Sequence, residues 1–192
     1  MAKTAFFSMD VEEWFDSDCL VNRSPDRSVL TFEGISRYLS LLDSYNIKGT
    51  FFVLGERALE AKPILEKALQ NGHEIALHGY KHVVPSEQDE ATFTQEIKQS
   101  KALLEREFGQ AIHGYRAPCF SLDEKKYKIV KGLGFDYDCS TLLLEAHQHY
   151  VNHSLGQALN PNVYRDGSFV NFVMDSGRYF FFPYSLSGGA YG

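Results

Sequence analysis

Three cysteines in 192 residues, Cys19, Cys119 and Cys139, are too few and too scattered for a disulfide framework, and none belongs to a CxxC pair. They read as free thiols in a reducing compartment, so the expected location is the cytoplasm. No apolar run approaches the roughly 20 residues that a bilayer span requires. The opening Met1-Ala-Lys-Thr-Ala-Phe-Phe is interrupted by Asp10 too early to form a secretion signal. A basic stripe is missing as well. With a net charge of -6 and its lysines and arginines dispersed, the chain lacks the electrostatic footprint of a nucleic-acid or anionic-membrane binder. The sequon Asn152-His-Ser154 carries no meaning in such a compartment.

What is present is enough apolar material for one sizeable core: 44% of the residues are hydrophobic, which fits a single domain over 1–192. Strand-like runs alternate with amphipathic helices. Thr4 to Met9 is a Phe-rich strand ending in the acidic cluster Asp10-Val-Glu12-Glu13. Phe32 to Tyr45 places Ile35, Tyr38, Leu39 and Leu42 on one helical face. Lys48 to Leu54 is a second strand. Ile64 to Gln70 is helical, with Pro63 tolerated in the first turn and Gly72 just past the end. His73 to Leu77 is a third strand, which delivers His78. Thr92 to Phe108 is a long helix closed by Gly109.

Further on, Ile112 to Tyr115 is a short strand ending at Arg116-Ala-Pro118, and Ser121-Leu-Asp-Glu124 fits a capping box for a helix to Gly132. Phe135 to Asp138 is a fifth strand. Phe169 to Met174 and Arg178 to Pro183 read as two strands joined at Asp175-Ser-Gly177. Units of roughly 25 to 40 residues predict βα repeats around a mainly parallel sheet. Asp10, His78, Arg116 and Asp138 each fall where a strand is expected to end, the rim on which βα barrels build their sites.

The chemistry centres on His78 and His82. Two imidazoles four residues apart can reach one ion, and a carboxylate from elsewhere completes a three-ligand site with an open position. Taken alone, the pair is also an ordinary feature of an exposed loop. Asp10 and Glu12 point to the same side of an extended chain while Val11 and Glu13 point away, so one carboxylate can ligate while its neighbour acts as base. Arg116 is expected to hold Asp10 ionised through a bidentate pair. Trp14 and Tyr115 are candidates for stacking on a sugar ring, though single aromatics are commonly core. His73, His113, His147, His149 and His153 have no ligand-like partner in sequence and read as solvent-facing or locally hydrogen-bonded.

Five ordered blocks carry a resemblance. They are Asp10-Val-Glu12-Glu13-Trp14-Phe15, Gly49-Thr-Phe-Phe-Val-Leu-Gly55, His73-Glu-Ile-Ala-Leu-His78-Gly-Tyr-Lys-His82, Gly114-Tyr-Arg-Ala-Pro118 and Gly134-Phe-Asp-Tyr-Asp138. The chain resembles the polysaccharide deacetylases, carbohydrate esterase family four with the nodulation-deacetylase homology fold. It is most similar to the branch that opens with Asp-Val-Glu, which resembles enzymes of surface-glycan assembly. The resemblance implies a distorted, incomplete (β/α) barrel and one divalent metal, the Zn2+ usual in the family. It implies Asp10 as catalytic base, Arg116 as the residue orienting it, and His78, His82 and Glu12 as ligands, with Glu13 in reserve. It further implies that Pro118 shapes the substrate groove and that Asp138 tunes the catalytic acid, which places both among the expected substrate-binding residues.

Ser187-Gly-Gly-Ala-Tyr-Gly192 resembles a block that relatives follow with more barrel and a Leu-x-His motif bearing the general acid, which nothing here matches. The expectation is therefore a barrel cut short at its C-terminal part. The function expected is metal-dependent removal of the N-acetyl group from an amino sugar of a bacterial surface polysaccharide or its lipid-linked precursor, with an N-acetylated saccharide as partner. Two alternatives stand beside it: a non-catalytic glycan-binding module on the same fold, and a metal-dependent amidohydrolase of a small nitrogenous compound, allantoinase-like.

Overall fold

In each parallel strand of this protein one row of side chains faces a layer of helices and the next faces the inside of a curled sheet. The computed structural model describes residues 5–16, 32–143 and 153–175. The elements in chain order are β1 (Ser8–Val11), α1 (Phe32–Ser44), β2 (Thr50–Val53), α2 (Lys62–Gln70), β3 (Glu74–Leu77), α3 (Glu90–Phe108), β4 (Gly114–Tyr115), α4 (Glu124–Gly132), β5 (Tyr137–Leu143), β6 (Gln157–Asn160), β7 (Val163–Asp166) and β8 (Phe169–Asp175). The strands form one sheet in the order β1-β2-β3-β4-β5-β8-β7-β6. Pairing is parallel from β1 to β5 and between β5 and β8, and antiparallel where β6 and β7 fold back on β8. This is the incomplete, mainly parallel barrel expected from the sequence.

The helix-facing row contains Val11, Phe51, Val53, Ile75, Leu77 and Tyr115. It packs against Ile35, Leu39 and Leu42 of α1, Leu65 and Ala68 of α2, Phe93, Ile97 and Leu104 of α3, and Tyr127 and Val130 of α4. The inner row is more polar. There Glu74 accepts hydrogen bonds from the Thr50 hydroxyl at 2.7 Å and the Tyr137 hydroxyl at 2.9 Å. Gly114 sits beneath the Tyr137 ring, and a Cβ at that position would lie 2.1 Å from Tyr137 Cζ, so only glycine fits. The Phe6 and Phe172 rings meet at 5.0 Å, which brings the start of β1 towards β8 and curls the sheet.

Local signals account for the helix ends. The Asp89 carboxylate caps α3 by accepting from the Ala91 and Thr92 amides, and Gly109 closes it in the left-handed region at φ 65°. Helix α4 is capped by Asp123, which accepts from Lys125 and Lys126. The capping box expected from Ser121 does not form: the cap is a simple one, made by Asp123 two residues later. His73 is buried between elements: its Nδ1 accepts from the Gly49 amide at 3.1 Å and its Nε2 lies 3.0 Å from Asp43. With Nδ1 accepting, Nε2 carries the proton and donates to Asp43, tying α1 to the start of β2 and β3.

Most boundaries shift by a residue or two, and three differences matter for the site or the topology. Strand β1 runs Ser8–Val11 instead of Thr4 to Met9, so Asp10 lies inside it. β5 begins at Tyr137 and runs on to Leu143, so Asp138 stands near its start and not its end. The hairpin β6–β7 has no counterpart in the sequence reading. The proposed strand Arg178 to Pro183, with Cys19, Asn152, His147, His149 and Ser187 to Gly192, lies outside the described residues.

Candidate metal centre and base

The C-terminal ends of β1, β3 and β4 bring together Asp10, Glu12, His78, His82 and Arg116. His78 follows β3 directly, and its amide donates to Val53 O at 2.9 Å, which fixes it to the neighbouring strand. The next turn is held by Gly55 and Glu56, whose amides donate to Gly79 O and Tyr80 O at 2.8 and 3.0 Å. Gly79 takes φ 95°, a conformation open to glycine, and this turn brings His82 back to within 5.5 Å of His78, ring centre to ring centre.

Glu12 Oε2 is 3.6 Å from His78 Nε2 and 3.2 Å from His82 Nε2. Donors about 2.0–2.2 Å from a tetrahedral ion lie roughly 3.3–3.6 Å apart, so these two spacings are close to the edges of such a site. One donor atom from each of the three residues falls within 4.8 Å of the others. His78 Nδ1 lies 2.9 Å from the Arg116 carbonyl, which can only accept, so Nδ1 carries the proton and Nε2 is the ligating atom. The donor set of two imidazoles and a carboxylate suits zinc. Glu13, the reserve candidate, is buried on the other side of the chain, and its amide donates to Asp16 Oδ2 at 2.8 Å. The geometry gathers Glu12 and not Glu13 beside the imidazoles.

Arg116 is 3% exposed and reaches across the inside of the sheet, with its guanidinium carbon 4.0 Å from the centre of the Phe52 ring. Nη1 donates to Asp10 Oδ1 at 2.7 Å, and Nη2 to Ser8 Oγ at 2.8 Å and Cys139 Sγ at 3.1 Å, while Nε donates to Cys139 O at 3.3 Å. The pair with Asp10 is thus not the expected bidentate one, because the fork is divided among three residues. Asp10 Oδ2 faces the ligands, 3.9 Å from His78 Nε2.

Burial pushes the Asp10 carboxyl up, but the charges of His78 and Arg116 and the Arg116 hydrogen bond outweigh it and hold the group below the usual carboxylate range. Burial lowers His78 in the same way, and the facing carboxylates of Asp10 and Glu12 more than reverse it, so its pKa is raised.

Several expected contacts do not hold. Tyr115 is fully buried in the helix-facing core, its ring against Phe93 and Phe135, and presents no surface to a sugar. Asp138 is fully buried too. Its two oxygens are taken by Ser140, at 2.5 Å from the hydroxyl and 3.0 Å from the amide, so it does not contact substrate. Pro118 is buried at the head of a tight turn near Gly79 and shapes the chain instead of lining a groove with its own surface. Trp14 remains partly exposed in the turn after Glu12, edge-on to Phe15.

Among the histidines set aside, His73 and His113 precede β3 and β4 at the opposite end of the sheet. His153 is buried and stacked on Tyr127 at 4.4 Å, where solvent exposure was one of the expectations. Ser8, Cys139 and Ser140 escaped the sequence reading, as did the Arg57 pair to Asp16, at 2.5 and 2.8 Å, which pins the 12–16 turn. Ser8 shares strand parity with Asp10, and Cys139 and Ser140 adjoin Asp138. No sequence signal links Arg57 to Asp16.

The polysaccharide deacetylase family model matches residues 21–137. A peptidoglycan deacetylase-like protein of Gibberella zeae is 32% identical over 62% of this chain and 36% of its own length. A peptidoglycan deacetylase of Helicobacter pylori is 28% identical over 62% of this chain and 40% of its own. The chain therefore spans less than half the length of these curated relatives. A solved structure from Mycobacterium smegmatis, assigned as a polysaccharide deacetylase, superposes with a TM-score of 0.65 at 25% identity, over 93% of this chain and 62% of the other. Matched by that model over more than half its length, the chain belongs to the polysaccharide deacetylase family.

Proposed function

We propose that this chain carries the catalytic machinery of a metal-dependent N-deacetylase. Its substrate would be an N-acetylated amino sugar of a bacterial surface polysaccharide or of its lipid-linked precursor. The observation that carries the reading is the facing arrangement of two groups: the Glu12, His78 and His82 donor atoms, and the outward oxygen of an Asp10 carboxylate gripped by Arg116. A divalent ion at the three donors, zinc by the donor chemistry, would polarise an acetamide carbonyl and bring the pKa of a water towards about 7.

The chain's own residues supply the base and hold it in place. Arg116 keeps Asp10 ionised and turns Oδ2 to the ligand side, so Asp10 is placed to take the proton of the attacking water. His78 is locked in its ligating tautomer by the Arg116 carbonyl, so a single residue sets both the base and one ligand. Trp14, partly exposed beside Glu12, offers a flat apolar face to a sugar ring.

The test is acetate release from an N-acetylglucosamine oligomer by zinc-loaded protein, set beside its Asp10→Asn variant. The variant should bind zinc normally and lose turnover. Zinc-loaded wild type without acetate release, or Asp10→Asn turning over at the wild-type rate, would overturn the reading.

A further inference from the structure

Arg116 follows β4 directly and leads into an unusual turn. Cys119 and Phe120 both lie in the left-handed region, at φ 53° and 52°. Non-glycine residues are strained there and persist only where surrounding contacts over-determine them. The residues that lead into this turn, Arg116 and Ala117, are held from β5. Ser140 Oγ accepts the Ala117 amide at 2.8 Å and donates to Asp138 Oδ1 at 2.5 Å, and both Ser140 and Asp138 are buried. Cys139, between them, holds the guanidinium itself through its carbonyl and its sulfur. The pairing of β5 with β8 shifts register between Asp138 and Thr141, an irregularity of the kind that re-aims side chains beside active sites.

We infer that Asp138, Cys139 and Ser140 form a positioning cradle for the catalytic base. Asp138 fixes the Ser140 hydroxyl, Ser140 fixes the backbone after Arg116, Cys139 fixes the guanidinium, and Arg116 aims Asp10. None of the three belongs to the Glu12, His78 and His82 donor group. Asp138 is therefore a positioning residue acting towards the base through Arg116. This assignment rests on the deacetylase reading for its kinetic consequence and on the hydrogen bonds alone for its structural one, so the two can fail separately.

The experiment compares zinc-loaded wild type with Ser140→Ala, Ser140→Thr and Cys139→Ala. Ser140→Ala should lower kcat about tenfold, the worth of one hydrogen bond at about 1.4 kcal/mol, with KM and zinc stoichiometry unchanged. Ser140→Thr keeps the hydroxyl and should recover kcat to within about threefold. Cys139→Ala, at a half-buried position that tolerates truncation, should lower kcat less than Ser140→Ala and also leave KM unchanged.

Hydrogen exchange of the Ala117 amide and of the Arg116 Nε–H, followed by NMR, needs no substrate. The Ala117 amide should exchange at least tenfold faster in Ser140→Ala and at the wild-type rate in Ser140→Thr. Unchanged Ala117 exchange in Ser140→Ala overturns the cradle whatever the activity. Faster exchange with wild-type kcat, or a kcat loss that Ser140→Thr does not recover, overturns its link to the base. Wild type without turnover on any acetylated saccharide would sink the deacetylase reading, and the exchange data would still decide the cradle.

Discussion

Replacing Arg116 with lysine keeps the positive charge and removes the fork. The guanidinium makes four hydrogen bonds, to Asp10, Ser8, Cys139 O and Cys139 Sγ, and lies flat over Phe52. A lysine ammonium can reach Asp10 but cannot also serve the opposite side, so about two bonds and the stacking are lost. At roughly 0.5–1.5 kcal/mol per bond and about 1 kcal/mol for the cation over the ring, the expected destabilisation is about 2–4 kcal/mol. In a domain of this size that is a Tm drop of roughly 5–15 °C, readable by calorimetry on the zinc-free protein. Activity should fall further than stability. With Asp10 no longer aimed, kcat should drop about 10²-fold, within the 10²–10⁴-fold that general-base assistance supplies, while zinc stoichiometry stays near one. Arg116→Met removes the cation altogether. Breaking a buried pair costs about 3–5 kcal/mol, and because the Asp10 side chain keeps a quarter of its surface exposed, the lower end applies. An Arg116→Lys protein that melts with wild type and keeps its kcat would refute the reasoning, since it would mean that one charge suffices and the divided fork is incidental.

Zinc binding should follow His78 in its pH dependence: its pKa is raised above 6.5, ligation needs the neutral ring, and protons therefore compete from above that pH downwards. Titration with a competing chelator should show affinity falling about tenfold per pH unit for each proton displaced, whereas a loss of kcat/KM that appears only below the ordinary carboxylate range would be assigned to Asp10, whose pKa is held beneath it. Glu12→Gln should lose zinc affinity and Glu13→Gln keep it, as read by metal analysis after dialysis; the reverse ranking would mean that the chain turns earlier than the structure places it. His73→Ala should cost about 2–4 kcal/mol in urea unfolding, through the orphaned Gly49 amide and the cavity left by the ring, with turnover unaffected because it lies at the far end of β3.

Much of this architecture was legible because local chemistry and long-range packing agree. Helices α1 and α3 carry apolar stripes that the fold buries as spaced, and Gly109 ends α3 where the pattern stops. The hairpin β6–β7 was not legible. All four residues of Gln157–Asn160 are exposed, so no alternation marks the strand, and it exists because β8 supplies a pairing edge through β7. Arg116 was recognisable as a partner of Asp10, but the division of its fork was not. Its other partners, Ser8 and Cys139, are 108 and 23 residues away: Cys139 lies on the adjacent strand β5, and Ser8, three strands off on β1, is brought near by the curl of the sheet.

Tyr115 and Asp138 show where the limit lies. Period-two alternation decides which side a residue faces only once one position in the strand is anchored. In β1 the anchor is present: Val11 is apolar between Asp10 and Glu12, so parity alone sends both carboxylates to the ligand side, and the distances from Glu12 to His78 and His82 agree. β4 has two residues, too few to alternate, and its register comes from its neighbours. Val11 pairs with Val53, Val53 with Leu77, Leu77 with Tyr115 and Tyr115 with Asp138, a single row on the helix-facing side. That row carries Tyr115 into the core and Asp138 behind the sheet, while the next residue along each strand, Arg116 and Cys139, turns inward to the site. A shift of one position separates a substrate-facing residue from a positioning one, and here it was set by four strand pairings that no local window contains.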